Sequence, residues 1–210
     1  MSDPFADLPR GHFGAILADP PWHYPRQDGR GLRYDTLNER QLMRLAVDEL
    51  AADNCVLFVW SVWPHLGQAL RLCAAWGFEY KTCAFDWAKA DNTQIHLFDE
   101  ELDPRIGMGN WTRANTEPCL LATRGKPKRL NADVRQGIIE PRREHSRKPD
   151  CVHERIERLV AGPYLELFAR QQHPGWTSWG NETNKFSAPK PGPDWDAMWS
   201  RKFDYPERIG

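Results

Sequence analysis

The chain is 210 residues long, with a formal net charge of −1 at pH 7. That length suits one α/β domain with a sizeable core, and so balanced a charge excludes attraction of a polyanion by a global field, leaving only a local patch for that purpose. Five dispersed cysteines without a C-x-x-C pair, no apolar run of membrane-spanning length and no opening signal-peptide pattern predict a soluble cytoplasmic protein with reduced thiols and no metal framework.

Residues 1–12 read as a polar arm over a sheet edge. Phe13–Ala18 is a short apolar run with a β-branched member, the pattern of a buried strand, and Pro20 and Pro21 stop it. The strand thus delivers Asp19 to its C-terminal edge, where open α/β sheets keep their ligand crevices. A carboxylate, a stiff elbow and the flat face of Trp22 are what a planar base bearing an amino group needs. Residues 23–37 mix glycine, arginine and tyrosine without period and read as a mobile recognition loop.

A helix is predicted over 38–51 with Asn38 as its N-cap, then a strand over Cys55–Trp60. A second helix over 64–76 has Pro64 in its first turn and Gly77 as its stop, and a third strand runs from Phe78 to Trp87. This alternation predicts an α/β fold with a mostly parallel, doubly wound sheet. Residues 88–116 are long for a connection and are assigned to function. Strands follow at Cys119–Ala122 and Gly137–Glu140.

Between them and beyond, residues 124–148 hold nine Lys/Arg against three acids, either a solvated face or a patch that tracks phosphates. Pro149 opens a helix that runs to residue 160. Lys148 at its N-terminus opposes the helix dipole, so an anion is expected there. In the last strand, Tyr164–Arg170, Glu166 interrupts an apolar run and needs donors, for which ribose hydroxyls are suited. The domain ends near residue 182, and 183–210 is a tail rich in proline and tryptophan.

The motif Asp19-Pro20-Pro21-Trp22 resembles the Asp/Asn-Pro-Pro-aromatic signature of S-adenosylmethionine-dependent amino-methyltransferases. With the later motifs it is similar to the adenine-methylating family that includes the catalytic subunit of the eukaryotic mRNA adenosine methyltransferase and many bacterial and phage members. Tyr34-Asp35-Thr36-Leu37 resembles that family's Tyr-x-Thr-hydrophobic step, and Trp87 with Lys89 its Trp-x-Lys. The stretch Gly109 to Glu117 resembles its Gly-x-Trp-x-x-x-x-x-Glu segment.

Ser146-Arg147-Lys148-Pro149-Asp150 resembles the family's Ser-x-Lys-Pro-Asp/Glu. Glu166-Leu167-Phe168-Ala169-Arg170 resembles its Glu-Leu-Phe-small-Arg, and Trp176 to Asn181 its closing Trp-x-x-x-Gly-Asn. Glu182 departs from the glutamine common there. The catalytic strand comes first and the cofactor strand last, the permuted order of β-class methyltransferases with a Rossmann-like fold. No G-x-G-x-x-G, P-loop, H-E-x-x-H or G-x-S-x-G occurs.

The resemblance implies catalysis by Asp19, Pro20, Pro21 and Trp22, with S-adenosylmethionine held by Asp19, Ser146, Lys148, Glu166, Arg170, His173, Asn181 and Glu182. Substrate contacts are implied for Tyr34, Trp87, Lys89, Trp111, Arg113 and Glu117. Hydrogen bonds to Asp19 and the Pro20 carbonyl would favour a nucleophilic amino nitrogen, with Trp22 stacked on the base. The expected activity is methylation of the 6-amino group of adenine in DNA. An RNA adenine methyltransferase and a non-catalytic nucleic-acid-binding partner subunit are the alternatives. Specificity is assigned to residues 23–37 and 89–116 or to a partner, and a homodimer stays open.

Overall fold

The computed structural model describes residues 3–23, 36–90, 111–112, 114–141, 143–144 and 147–186. Its centre is strand β1 (Phe13–Ala18), whose residues alternate between two cores. Ile16 and Ala18 face one side and Ala15 and Leu17 the other, as the two-residue period of a strand requires. Strand β2 (Ala51–Trp60) and strand β6 (Tyr164–Leu167) flank β1, both parallel to it.

The described sheet has seven strands in the order β5-β3-β4-β2-β1-β6-β7, with β3 (Glu79–Ala90), β4 (Thr116–Arg124), β5 (Gly137–Pro141) and β7 (Trp176–Trp179) completing it. Helix α1 (Glu39–Met43), α2 (Val47–Leu50) and α3 (Leu66–Ala75) bury Leu42, Val47, Leu50 and Leu72 against the Ile16 face. Helix α4 (Cys151–Leu159) covers the Leu17 face with Val152 and Ile156. Helices on both faces bear out the doubly wound expectation.

Three local readings change. First, β2 and β3 are not neighbours. Strand β4 lies between them, antiparallel to both, so the sheet is mostly parallel but mixed. Second, the helix expected over 38–51 is two short ones. Asn38 does cap α1, in a reciprocal box with Gln41. On one continuous helix Leu42 and Val47 would point about 140° apart; the break lets both be fully buried in the same core. Third, β7 was not anticipated as a strand.

The N-terminal arm does cover a sheet edge. Phe5 is fully buried and meets Trp179 of β7 edge-on at 4.8 Å, while the Trp179 indole N–H donates to the Pro4 carbonyl at 3.0 Å. That blocks an edge strand that would otherwise offer unpaired backbone. Burial pushes the Cys55 and Cys73 thiols up to about 12, and the five cysteines are free. No described helix is long and apolar enough to cross a membrane.

At the end of β6, Phe168 takes a left-handed backbone (φ 62°), uncommon for a bulky residue, and turns the chain back toward β7. The turn is pinned by the Ala169 N–H bond to the Trp179 carbonyl, 2.9 Å. Gly180 packs so closely against it that a Cβ would lie 2.6 Å from the Ala169 oxygen and 2.7 Å from its nitrogen. Gly180→Ala is expected to destabilise the fold by about 1–3 kcal/mol through overpacking, measured by urea unfolding; an unchanged midpoint would mean that the turn is not rigid.

Candidate active site

Chain direction brings the chemistry to one edge. The C-terminal ends of β1, β2, β3 and β6 carry Asp19, Trp60, Lys89 and Glu166 there, and the reversed β4 places Glu117 near its start at the same edge. The segment leading into α4 adds Lys148. Residues from six separate stretches of chain therefore meet although they are far apart in sequence.

Asp19 and Lys148 form the centre. The Lys148 ammonium donates to both Asp19 oxygens at 2.9 Å and stands 3.7 Å from Glu117 Oε2. Glu117 also accepts a hydrogen bond from the Lys89 ammonium. The Lys148 ammonium lies 5.6 Å from the centre of the Trp60 ring, and Lys89 lies 5.4 Å from that of Trp87. The side chains of Asp19, Lys148 and Glu117 are each about one-fifth exposed.

Burial works against the Lys148 charge, but Asp19 and then Glu117 outweigh it and hold its pKa above the ordinary lysine value. Burial likewise pushes Glu117 up, and Lys148 and Lys89 outweigh that to hold it below the usual carboxylate value. Two carboxylates of the protein itself, those of Asp19 and Glu117, thus meet the ammonium just before this helix.

The elbow after β1 is rigid. The Trp22 N–H donates to the Pro20 carbonyl at 2.8 Å and the Leu37 N–H to the Pro21 carbonyl at 3.1 Å. The Trp22 indole is 6% exposed, and its N–H donates to the Trp60 carbonyl at 3.1 Å. The stacking expected of Trp22 does not match this placement. A buried indole needs its N–H satisfied, and here that need locks the elbow to the end of β2.

Beside Asp19 opens a cleft with about 460 Å³ of space between its walls, including the part open to solvent. Asp19, Lys148, Glu166 and Arg170 line it, with Trp60 and Phe168 as its large apolar surfaces. Glu166 accepts from or shares a proton with His153 Nε2 at 2.9 Å. The indole N–H of Trp60 and the side-chain oxygen of Gln171 also belong to lining residues, and both are buried without a partner among the described residues.

Asp19, Lys148, Glu166 and Arg170 are therefore brought together as expected. Trp87 and Lys89 approach them through Glu117. The Trp87 indole is buried and donates to the Glu140 carbonyl at 2.9 Å, so it anchors β3 to β5. His173 stacks on His153 at 4.2 Å between ring centres, behind the cleft wall; burial, followed by the neighbouring His153, lowers its pKa. Asn181 and Glu182 are exposed and outside the cleft lining, and Glu182 pairs with Lys185 at 2.7 Å. Trp111 is fully exposed. Tyr34, Arg113 and Ser146 lie outside the described residues.

The basic run over 124–148 is not one patch. Arg124 pairs in register with Cys55, five residues before the Trp60 end of β2 and so away from Asp19, and exposed Lys128 and Arg129 follow it. Strand β5 then carries the chain back to the Asp19 edge, where Arg143 pairs with Asp150, and Arg147 with Asp150 and Glu144. Trp60, His153 and Gln171 were missed as lining residues. For Trp60 the signal was its position as the last residue of an apolar strand run, beside the Asp19 strand.

Comparison with known proteins agrees with this geometry. The MT-A70 family model matches residues 13–182. The Type II methyltransferase M.MunI of Mycoplasma sp. is 33% identical over 218 residues, covering 91% of this chain and 88% of that protein. An N(6)-adenosine-methyltransferase MT-A70-like protein of Arabidopsis thaliana is 31% identical, over 83% of this chain and 24% of its own length. The human N(6)-adenosine-methyltransferase catalytic subunit METTL3 is 29% identical, over 95% and 32% respectively. The α/β sheet is that of a methyltransferase, and the chain belongs to the MT-A70 family. It spans most of the Mycoplasma relative, and only about a quarter to a third of the eukaryotic ones.

Because the Glu117 pKa is depressed in the fold, its stabilising contribution is present above the ordinary carboxylate value of 4.5 and is lost as pH falls through the lower folded value. Glu117→Gln is expected to cost about 1–3 kcal/mol at neutral pH. That cost should shrink as pH falls below the ordinary carboxylate value and through the lower folded one, read from urea unfolding of both proteins across the range. A cost independent of pH would mean that the charge of Glu117 is not what the fold uses.

Proposed function

We propose that this chain methylates the exocyclic 6-amino group of adenine in DNA, with S-adenosylmethionine bound in the cleft beside Asp19. The observation that carries the reading is the position of Asp19, fixed by Lys148 at 2.9 Å in the lining of a cleft that also holds Glu166 and Arg170. DNA is preferred over RNA because the Type II methyltransferase M.MunI is matched over nearly its whole length. The likeness to N(6)-adenosine methyltransferases supports adenine as the base and keeps RNA as the second reading.

The cleft's chemistry suits the cofactor. A carboxylate on Glu166, unfilled buried polar atoms on Trp60 and Gln171, and cations on Lys148, Arg147 and Arg170 match ribose hydroxyls, a purine edge and an amino-acid carboxylate. Bound there, S-adenosylmethionine supplies a methyl group on a positively charged sulfur. Asp19, Glu166, Lys148 and Arg170 are the residues proposed to hold it. His173 would support the Glu166 side from behind through its stacking on His153, and Ser146, Asn181 and Glu182 are further cofactor contacts that the family resemblance implies.

The amino lone pair of adenine is delocalised into the ring and is a poor nucleophile. A carboxylate offers about four acceptor positions, so the two bonds from Lys148 leave room on Asp19 for a substrate N–H. The Pro20 carbonyl accepts the Trp22 N–H with one lone pair and has the other for the second substrate N–H. Both bonds favour the pyramidal amino group, whose lone pair is then free to attack. Once the methyl is on nitrogen its N–H is acidic, and the Asp19 carboxylate is placed to take that proton. Lys148, Glu117 and Lys89 hold the acceptor in place, so catalysis here is positioning and electrostatics. In a duplex the adenine must be flipped out to reach Asp19.

Transfer of labelled methyl groups to duplex DNA, single-stranded DNA and RNA, with the modified nucleoside identified by mass spectrometry, tests this reading. N6-methyladenine in DNA is expected, and product only in RNA would favour the second reading. Asp19→Ala is expected to lower turnover by at least about 10²–10³-fold, the scale for loss of one preorganised electrostatic group. Cofactor affinity should fall far less, because Glu166, Lys148 and Arg170 remain to hold it. Lost cofactor binding with turnover retained would contradict the role given to Asp19.

A further inference from the structure

Four large apolar side chains stand exposed among the described residues: Trp63, Tyr80, Trp111 and Leu130. Tyr80 pairs in register with Ala122, seven residues along β3 from Trp87, and Leu130 bonds the Leu159 carbonyl at the far end of α4. Both lie away from Asp19. Trp63 does not. It opens the single 3-10 turn Trp63–His65 that follows β2 at the active-site edge, and it is 47% exposed.

An indole in water needs no protein partner, yet this one is held. Its N–H donates to the Thr116 hydroxyl at 2.7 Å. Pro64 fixes the backbone of the turn, and the next residue, His65, is buried with its ring centre 6.0 Å from that of Trp22. The turn is therefore tied on one side to the elbow that carries Asp19. On the other side it is tied to Thr116, whose chain neighbour Glu117 is paired with Lys89 and Lys148. A held, half-exposed aromatic ring therefore stands at the Asp19 edge of the sheet, on the β4 side of β1, while Glu166 lies on the β6 side.

We infer that Trp63 is a stacking platform for a nucleobase next to the target adenine, so that it takes over a flanking position when the target leaves its stack. Stacking on an aromatic face tolerates any base, so the contribution is to affinity and placement more than to sequence choice. The inference rests on the nucleic-acid reading above. It also places the stacking surface on Trp63, since Trp22 is buried.

The test is binding of dye-labelled, mixed-sequence duplex DNA, single-stranded DNA and RNA, followed by fluorescence anisotropy over a range of salt, for the wild type, Trp63→Ala and Trp63→Phe. Trp63→Ala is expected to weaken binding to the preferred pool by roughly 5- to 100-fold, the scale of one base–aromatic stack. Trp63→Phe should recover most of it. The slope of log affinity against log salt should not move, because no phosphate contact is lost. Calorimetric affinity for S-adenosylmethionine and the thermal midpoint should also stay within error. Unchanged nucleic-acid binding by a folded Trp63→Ala protein overturns the inference, and so does a loss that phenylalanine cannot rescue or that alters the salt slope. Wild-type protein that binds none of the three pools overturns the nucleic-acid reading itself, and the platform with it.

Discussion

A lysine ammonium taken largely out of water is costly unless carboxylates meet it, and the edge of this sheet is arranged around that requirement. Lys148 is met by Asp19 from the end of β1 and by Glu117 from the start of β4, and Lys89 from the end of β3 closes the series. The charges alternate, Asp19, Lys148, Glu117, Lys89, so each has an opposite neighbour. Two consequences follow. The carboxylate assigned to the substrate amine has a fixed position before anything binds, and the cleft wall and the substrate side share one framework.

The antiparallel β4 makes this possible. In a wholly parallel sheet, the beginning of a strand faces the opposite edge from the C-terminal ends of its neighbours. Reversal of β4 brings its first residues, Thr116 and Glu117, beside Trp87 and Ala88 at the end of β3. It therefore supplies both the carboxylate between the two lysines and the hydroxyl that holds Trp63. On the other side of β1, parallel β6 ends at the same edge with Glu166 and then turns sharply at Phe168. The elbow at Pro20 and Pro21 lies between the two, with the Trp22 indole as its anchor.

Much of this was legible in the sequence because it depends on neighbours in the chain. The apolar run Phe13–Ala18 stopped by two prolines gave the catalytic strand end, and the Asn38 cap and the Gly77 stop set helix boundaries that the structure keeps. Strand pairing was not legible in the same way. Nothing local to residues 116–124 says that they lie between β2 and β3, and without that the partners of Glu117 could not be named. Burial of particular aromatics was hidden for the same reason: Trp22 and Trp60 are neighbours only through the β1–β2 register. The basic run looked continuous because a sequence does not reveal that β5 carries its two halves to opposite edges.

The most direct measurement is a double-mutant cycle on Asp19 and Lys148, with Asp19→Ala, Lys148→Met and the double variant compared by urea unfolding at neutral pH. A coupling of about 1–3 kcal/mol is expected, with the double variant losing much less than the sum of the two single losses. Additive losses would contradict the central claim, since they would mean that Lys148 and Asp19 do not hold one another in solution and that the site is organised by something else.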